Sequence, residues 1–306
     1  MGVLCALLGA ICFSGKAIIV KILYRYPGID GETLLALRML VALPFFIIIA
    51  AWPRRPDQAA LSPRDIVMCG VLGFLGYYLS SYLDFLGLHY VTATLERLIL
   101  YLSPTLVLML SVMLRGIRVS RLQMVGLVVS YIGVALAFAH DFFLATSPRP
   151  LTGGHLALGS ILIFGCAVSY SLYLFGGGEL VKRIGAVRMT AFSGGAASVF
   201  CIFQYFVLRP MDHWSDIMDF PRPVYALSLV NGTACTVLPI FLLMIAISRI
   251  GSSAAAQIGM VGPASTILLA AIFLGEPVGP WQVAGTILVM TGVLVTSKTA
   301  VRGVTR

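Results

Sequence analysis

The sequence predicts an all-α integral membrane protein of ten transmembrane helices, built as two inverted five-helix repeats. Three observations predict this fold class. Hydrophobic residues make up 59% of the 306 residues and charged residues only 11%, unlike a water-soluble domain. Apolar segments long enough to cross about 30 Å of hydrocarbon recur along the whole chain. The second half also repeats the Gly and Pro spacing of the first.

Each predicted span is an apolar segment of about twenty residues, bounded by Pro, Gly or charged residues. The spans in chain order are 2–23, 32–52, 65–87, 91–114, 121–139, 155–176, 187–208, 224–248, 252–273 and 280–297. The first span is not expected to be a cleavable signal, because Lys16 interrupts it and no basic segment precedes it. The longest connections, 140–154 and 209–223, are rich in Pro, His, Asp and Ser and are predicted to lie outside the membrane.

The Lys and Arg distribution predicts how the protein is oriented in the inner membrane. With a cytoplasmic N-terminus, thirteen basic residues fall in the cytoplasmic loops and tail, and five fall in the outer loops. Basic residues are enriched on the cytoplasmic side, so both termini are predicted to be cytoplasmic. The formal charge of +9 therefore reflects topology, and the absence of a basic run argues against nucleic-acid binding.

An internal repeat relates residues 104–136 to residues 263–295 at a constant offset of 159. The identical pairs are Pro104 and Pro263, Gly116 and Gly275, Val119 and Val278, Gln123 and Gln282, Gly126 and Gly285, Gly133 and Gly292, and Val134 and Val293. The predicted organisation is a first repeat at 1–139, an outer linker at 140–154, and a second repeat with a cytoplasmic tail at 155–306. Five spans per repeat is an odd number, so the second repeat is inverted, as in many secondary transporters.

These motifs resemble the EamA-type transporters, the ten-helix branch of the drug/metabolite transporter superfamily. The resemblance lies in Gly262-Pro263, Phe273-Leu274-Gly275-Glu276-Pro277 and Gln282-Val283-Ala284-Gly285, and in the first half in Ala93-Thr94-Leu95-Glu96-Arg97 and Tyr101-Leu102-Ser103-Pro104. The first half departs from it, because Gly116-Ile117-Arg118 stands where the second half has Gly275-Glu276-Pro277. The resemblance implies a secondary carrier with a central cavity, often an exporter of amino acids or other metabolites.

Charged residues inside the predicted spans form the first group of candidate functional residues. They are Lys16, Arg38, Asp84, Glu96 and Arg97, and the predicted topology places all five in the outer third of the membrane. Charges at such depth are costly and usually face a cavity or a partner. An outer gate, a structural ion-pair clamp and direct substrate contact are all open interpretations. If transport is coupled to protons, Glu96 or Asp84 is the expected carrier.

Aromatic, hydroxyl and amide residues form a second group, which predicts the wall of a substrate cavity. The clearest pattern is a helical face of Tyr78, Ser81, Tyr82 and Phe85 in the third span. The predicted substrate-binding residues are Ser14, Tyr78, Ser81, Tyr82, Tyr101, Ser103, Ser169, Tyr170, Tyr173, Asn231, Thr236 and Gln257. For any one of them, the alternative is a hydrogen bond between helices.

Pro104 and Pro263 hold matching places in the fourth and ninth spans, where they are predicted hinges or static kinks. The sequence contains no phosphate loop, catalytic triad or metal-ligand spacing, so we expect no catalytic residues, metal or cofactor. The predicted function is secondary transport of a small polar metabolite, with amino acids as favoured substrates and export as favoured direction. A lipid or lipid-linked-sugar flippase of the same fold is the open alternative, followed by a membrane-embedded enzyme. The oligomeric state is not predicted.

Overall fold

The computed structural model describes residues 1–51, 61–116, 120–144, 153–208, 217–259 and 261–304. Within these ranges the secondary structure is helical throughout, with three π-helical segments inside longer helical runs. The elements are α1 Gly2–Leu23, α2 Gly31–Ala51, α3 Pro63–Gly73, π1 Phe74–Leu79, α4 Ser80–Leu88, α5 Ala93–Leu100, α6 Ser103–Arg115, α7 Arg121–Leu144, α8 Gly153–Ile184, α9 Ala186–Leu208, α10 Arg222–Gly232, π2 Thr233–Val237, α11 Leu238–Gly259, α12 Val261–Leu269, π3 Ala270–Leu274 and α13 Pro280–Val304.

Seven of the described helical runs are long and apolar enough to cross a membrane. They are Gly2–Leu23, Gly31–Ala51, Pro63–Leu88, Ala93–Leu114, Gly154–Gly178, Ala186–Leu208 and Arg222–Leu243. Three shorter apolar helices accompany them, at Arg121–Ala137, Val261–Leu274 and Pro280–Val295. The chain is therefore a multi-pass, all-α membrane protein, as its composition predicts.

Local chemistry sets several helix ends. Ser62 and Asp65 form a capping box at the start of α3, and the Thr92 hydroxyl accepts from the Leu95 amide at the start of α5. Gly116 after α6 and Gly275 after π3 adopt left-handed conformations, with φ of 64° and 69°. Glycine tolerates this conformation without a side-chain clash, so it ends both helices.

Helix bounds in the two halves recur at the same offset of 159 as the sequence repeat. The segment α3 Pro63–Gly73 corresponds to α10 Arg222–Gly232, and the π-helical segments π1 and π2 begin at corresponding residues. The starts of α7 and α13 also correspond. The repeat thus extends beyond the matching Gly and Pro residues into the backbone conformation.

The extensive helix contacts join elements from different halves. The main pairs are α7 with α13, α1 with α11, α2 with α9, and α4 with α8. The α7–α13 pair is close enough for backbone contact: a Cβ atom built on Gly133 would lie 2.6 Å from the Gly285 carbonyl oxygen, and one on Gly285 would lie 2.6 Å from that of Gly133. Small residues at helix interfaces permit such an approach in membranes.

Some predicted boundaries are wrong. The fourth span, predicted as 91–114, is found at Ala93–Leu114, but a turn at Tyr101 and Leu102, which was not predicted, divides it into α5 and α6. Residues 249–251, predicted as a connection, lie inside α11, whose Leu- and Ala-rich sequence favours helix. Residues 140–144, assigned to the outer linker, continue α7 as helix. The rest of that linker from 145 to 152 lies outside the described residues.

Candidate functional site

A buried ion-pair cluster lies between α1, α4 and α5. The Lys16 Nζ atom is 2.5 Å from Asp84 Oδ2 and 3.6 Å from Glu96 Oε1. The carboxylates are almost completely buried, with side-chain exposures of 1% and 0%. One ammonium group therefore faces two carboxylates, and Glu96 has no hydrogen-bond donor for either carboxylate oxygen in the described part of the chain.

The two buried arginines do not join this cluster through ion pairs. The Arg38 Nε atom donates to Thr236 Oγ1 at 2.9 Å, and its guanidinium lies 5.5 Å from the centre of the Phe85 ring. The Arg97 guanidinium lies 4.8 Å from the Phe13 ring centre, with a long contact of 3.5 Å to Ser14. The described contacts therefore do not join all five charged residues into one ion-pair clamp.

The repeated prolines lie in α6 and α12. Pro104 falls in the first turn of α6, after the turn at Tyr101 and Leu102, and its side chain is outside the described residues; Pro263 lies in α12 and is buried. A proline cannot donate to the carbonyl four residues earlier, so each frees one acceptor. The carbonyl of Leu100 accepts from Ser103 Oγ at 2.7 Å, and that of Gly259 accepts from Tyr101 Oη at 2.5 Å.

The Gly259 and Gly262 carbonyls bring polar groups from both halves together. The Ser14 hydroxyl of α1 donates to the Gly262 carbonyl of α12 at 3.0 Å, next to the Arg97 guanidinium. The Tyr101 ring also lies 5.5 Å from that guanidinium. Two predicted substrate-binding residues, Ser14 and Tyr101, and the charged residue Arg97 thus lie together beside the Gly259 and Gly262 carbonyls of the second half.

The tyrosines around π1 point in two directions. The Tyr78 and Tyr82 rings stack at 6.3 Å, Tyr78 packs 6.0 Å from Phe200 of α9, and Tyr82 Oη donates to Glu32 Oε1 at 3.3 Å. Phe85, predicted on the same face, is fully buried beneath Arg38. A π-helical turn inserts extra backbone, which redirects the side chains that follow it.

On the other side, Tyr77 of π1 faces α8. Its ring centre lies 5.2 Å from that of Tyr173, which in turn stacks on Tyr170 at 5.7 Å. The Ser169 hydroxyl donates to the Leu75 carbonyl in π1 at 2.8 Å. Tyr77 was not predicted, because it lies outside the face of Tyr78, Ser81, Tyr82 and Phe85 on which the prediction was based.

The remaining predicted residues have mixed surroundings. Asn231 is buried and its side-chain oxygen has no hydrogen-bond partner among the described residues, while the Thr236 hydroxyl donates to the Asn231 carbonyl at 2.8 Å. Ser81 is buried on α4. The Gln257 side chain lies outside the described residues.

Glu276 was not predicted as a site residue, although it belongs to the Gly-Glu-Pro motif. Its carboxylate accepts from the Ala93 amide at 3.1 Å and lies 4.0 Å from Lys21 Nζ. It therefore joins the start of α5 and the end of α1 to the end of π3, and negative charge suits the positive N-terminal end of α5. The Gly-Glu-Pro motif is visible in the sequence, but the residues that Glu276 contacts are more than 180 residues away along the chain.

An apolar crevice opens between α2, α9, π2 and α11. Its lining residues are Phe46, Ile49, Val187, Thr190, Ala191, Val237, Ile240 and Phe241. None was predicted, and a lining with a single hydroxyl offers little to a polar solute. The polar centre around Lys16, Arg97 and the tyrosines is therefore the candidate functional site.

Comparison with known proteins identifies the family. The sequence profile described as the EamA-like transporter family matches residues 1–139 and 157–298. The chain belongs to the EamA-like transporter family. Among relatives of this family, the uncharacterized transporter YcbK of Bacillus subtilis (strain 168) is 31% identical over 301 residues, which are 95% of this chain and 92% of YcbK.

Further comparisons agree with this EamA assignment. The uncharacterized transporter YyaM of Bacillus subtilis (strain 168) is 24% identical over 261 residues, or 85% of this chain and 81% of YyaM. A solved crystal structure with 16% sequence identity aligns with a TM-score of 0.63 over 98% of both chains. It shares the fold, and the named relatives place the protein among transporters.

Proposed function

We propose that this protein is a secondary transporter that moves a small polar metabolite across the inner membrane by alternating access. Amino acids are the proposed substrates and export the proposed direction. The observation that carries the proposal is the mixed-charge, tyrosine-lined centre built around Lys16, Asp84 and Glu96 inside an apolar helical bundle. Buried charges of this kind in membrane proteins mark substrate or ion pathways.

We propose a topology of ten spans in two inverted repeats, 1–139 and 155–306, with both termini cytoplasmic. The recurrence of helix bounds at the offset of 159 supports two copies of one unit. Gly133 packs on Gly285 and Gly126 packs on Gly292, so residue numbers fall along α7 as they rise along α13, and the offset of 159 exchanges the two pairs. This pattern supports an antiparallel, two-fold relation between the repeats. The Lys and Arg distribution supports the orientation.

Alternating access needs groups that separate and re-form between the repeats. The contacts between the halves supply candidates, since the hydroxyls of Tyr101 and Ser14 bond to the Gly259 and Gly262 carbonyls. Such bonds can exchange for water or substrate at little net cost, because each is worth about 1 kcal/mol. Pro104 and Pro263 are the proposed hinges on which these helices bend.

If protons drive the transport, Glu96 is the proposed carrier, with Asp84 as its partner. Both carboxylates face the Lys16 ammonium, so a proton or a substrate ammonium can compete for that position. The other charged groups nearby are Arg38 of α2 and Arg97 of α5, both cationic. No metal, cofactor or catalytic residue is part of this proposal.

The test is substrate flux in proteoliposomes that contain the purified protein. Vesicles are loaded with a pool of radiolabelled amino acids, and efflux is measured with and without a pH gradient. We expect saturable efflux from wild-type vesicles, at least about tenfold slower efflux for Asp84→Asn, and wild-type efflux for the exposed control Asp219→Asn. Dependence on the gradient would identify protons as the coupling ion.

Absence of efflux for every amino acid would overturn the substrate assignment. The same vesicles loaded with nucleobases, amines and lipid-linked sugars would then separate another carrier activity from a flippase. Absence of flux for all of these compounds would overturn the transport proposal itself.

A further inference from the structure

The charges at the centre of the described bundle do not balance. Three cations, Lys16, Arg38 and Arg97, lie near two carboxylates, and both carboxylates face Lys16. No ion pair joins either guanidinium to a carboxylate of the described residues. A buried cation is stable only with compensating charge or hydrogen bonds. One further negative charge would balance the charges of this centre.

The surroundings of the two arginines differ. Arg38 is fixed by a hydrogen bond of 2.9 Å to Thr236 and covers Phe85, whose exposure is 0%. Arg97 has only the 3.5 Å contact with Ser14, and its buried Nε atom has no acceptor in the described part of the protein. The Arg38 Nη1 atom likewise has no acceptor among the described residues, so the two guanidinium groups differ in how firmly they are held: Arg97 has the longer hydrogen bond.

Arg97 lies beside a partly exposed aromatic ring. The Phe13 ring lies 4.8 Å from Arg97 and 5.6 Å from Lys16, and Phe13 is 38% exposed. The buried guanidinium is therefore only one aromatic side chain away from the surface of the described bundle.

We propose that Arg97 binds a carboxylate group of the substrate, so that the carrier selects organic carboxylates over the matching amides and amines. The rings of Phe13 and Tyr101 hold the guanidinium by cation–π contact and leave its Nε atom free of protein acceptors. A guanidinium that is fixed in this way binds a planar carboxylate through two parallel hydrogen bonds. This inference rests on the proposed function and specifies the substrate of the same site.

The test measures binding to the detergent-purified protein, so that it does not depend on flux. The unfolding temperature is recorded across concentration series of matched compounds: each amino acid, the 2-oxo acid that lacks its amine, its amide, and the amine that lacks its carboxylate. Arg97→Gln removes the charge, Arg97→Lys keeps the charge but not the planar fork, and Arg222→Gln is the control at an exposed arginine.

For the wild type, we expect every stabilising compound to carry a carboxylate and its amide to bind at least about tenfold more weakly. Arg97→Gln should weaken the best carboxylate by a similar factor, Arg97→Lys by less, and Arg222→Gln should bind like the wild type. The wild-type comparison of acid with amide needs no variant, so a variant that fails to fold leaves the test intact.

An amide or amine that binds as tightly as its carboxylate would overturn the proposal. So would Arg97→Gln binding like the wild type, or a complete lack of stabilisation by carboxylates. Any of these results together with saturable flux in proteoliposomes would leave the transporter function standing. Carboxylate binding without flux would instead support Arg97 and overturn secondary transport.

Discussion

Replacing Lys16 with methionine removes the only cation that forms ion pairs with Asp84 and Glu96 among the described residues. With an effective dielectric constant of about 20, the attraction is about 7 kcal/mol at the 2.5 Å separation and about 5 kcal/mol at 3.6 Å. Desolvation and repulsion between the carboxylates offset much of this. The expected net loss for breaking a buried pair is about 3–5 kcal/mol of unfolding free energy.

The assay is a denaturant titration in micelles, followed by far-UV circular dichroism, at fixed pH and salt. Asp84→Asn combined with Lys16→Met should be more stable than Lys16→Met alone, because only Glu96 then remains unpaired. The control is Arg183→Met, which breaks the ion pair with Asp65; the Arg183 side chain is 53% exposed, so about 0–1 kcal/mol is expected. A Lys16→Met loss no larger than the control, or a double variant that is less stable than the single one, would refute the reasoning.

Two further predictions concern the backbone contacts. Pro263 cannot donate to the Gly259 carbonyl, so Tyr101→Phe removes the donor that this carbonyl has and should cost about 1–3 kcal/mol of unfolding free energy. Adding Pro263→Ala restores an amide donor and should recover part of this stability. A double variant that is no more stable than Tyr101→Phe would contradict this account. Gly133→Ala places a Cβ atom 2.6 Å from the Gly285 carbonyl oxygen and should cost about 1–3 kcal/mol in the same titration, whereas an unchanged midpoint would show that the α7–α13 contact is loose.

The sequence was sufficient for the class of protein and the family. Long apolar segments have few stable alternatives to helices in a membrane, because backbone polar groups must bond within their own segment. The repeated Gly and Pro residues mark where helices end or approach each other, and the left-handed Gly116 and Gly275 end corresponding helices. Such effects act within a few residues, so they can be predicted from local sequence.

The sequence also identified most of the polar residues at the candidate site, but not how they pair. Five buried charges were grouped by depth alone, whereas the described structure pairs Lys16 with both carboxylates and holds Arg97 against Phe13 and Tyr101. Depth along a helix follows from residue number. The neighbour that a side chain meets on another helix does not.

Two features were decided only by tertiary structure. The Tyr77 ring packs on Tyr173 of α8 and the Tyr78 ring packs on Phe200 of α9, and neither partner can be read from the local sequence. The hydroxyl of Tyr101 satisfies a carbonyl 158 residues away, and no local pattern indicates that contact. Sequence periodicity determines which residues enter the membrane, because hydropathy is additive along a helix. Which polar groups meet there depends on how the two halves pack, because the partners in each hydrogen bond are far apart in the sequence and come together only in the folded protein.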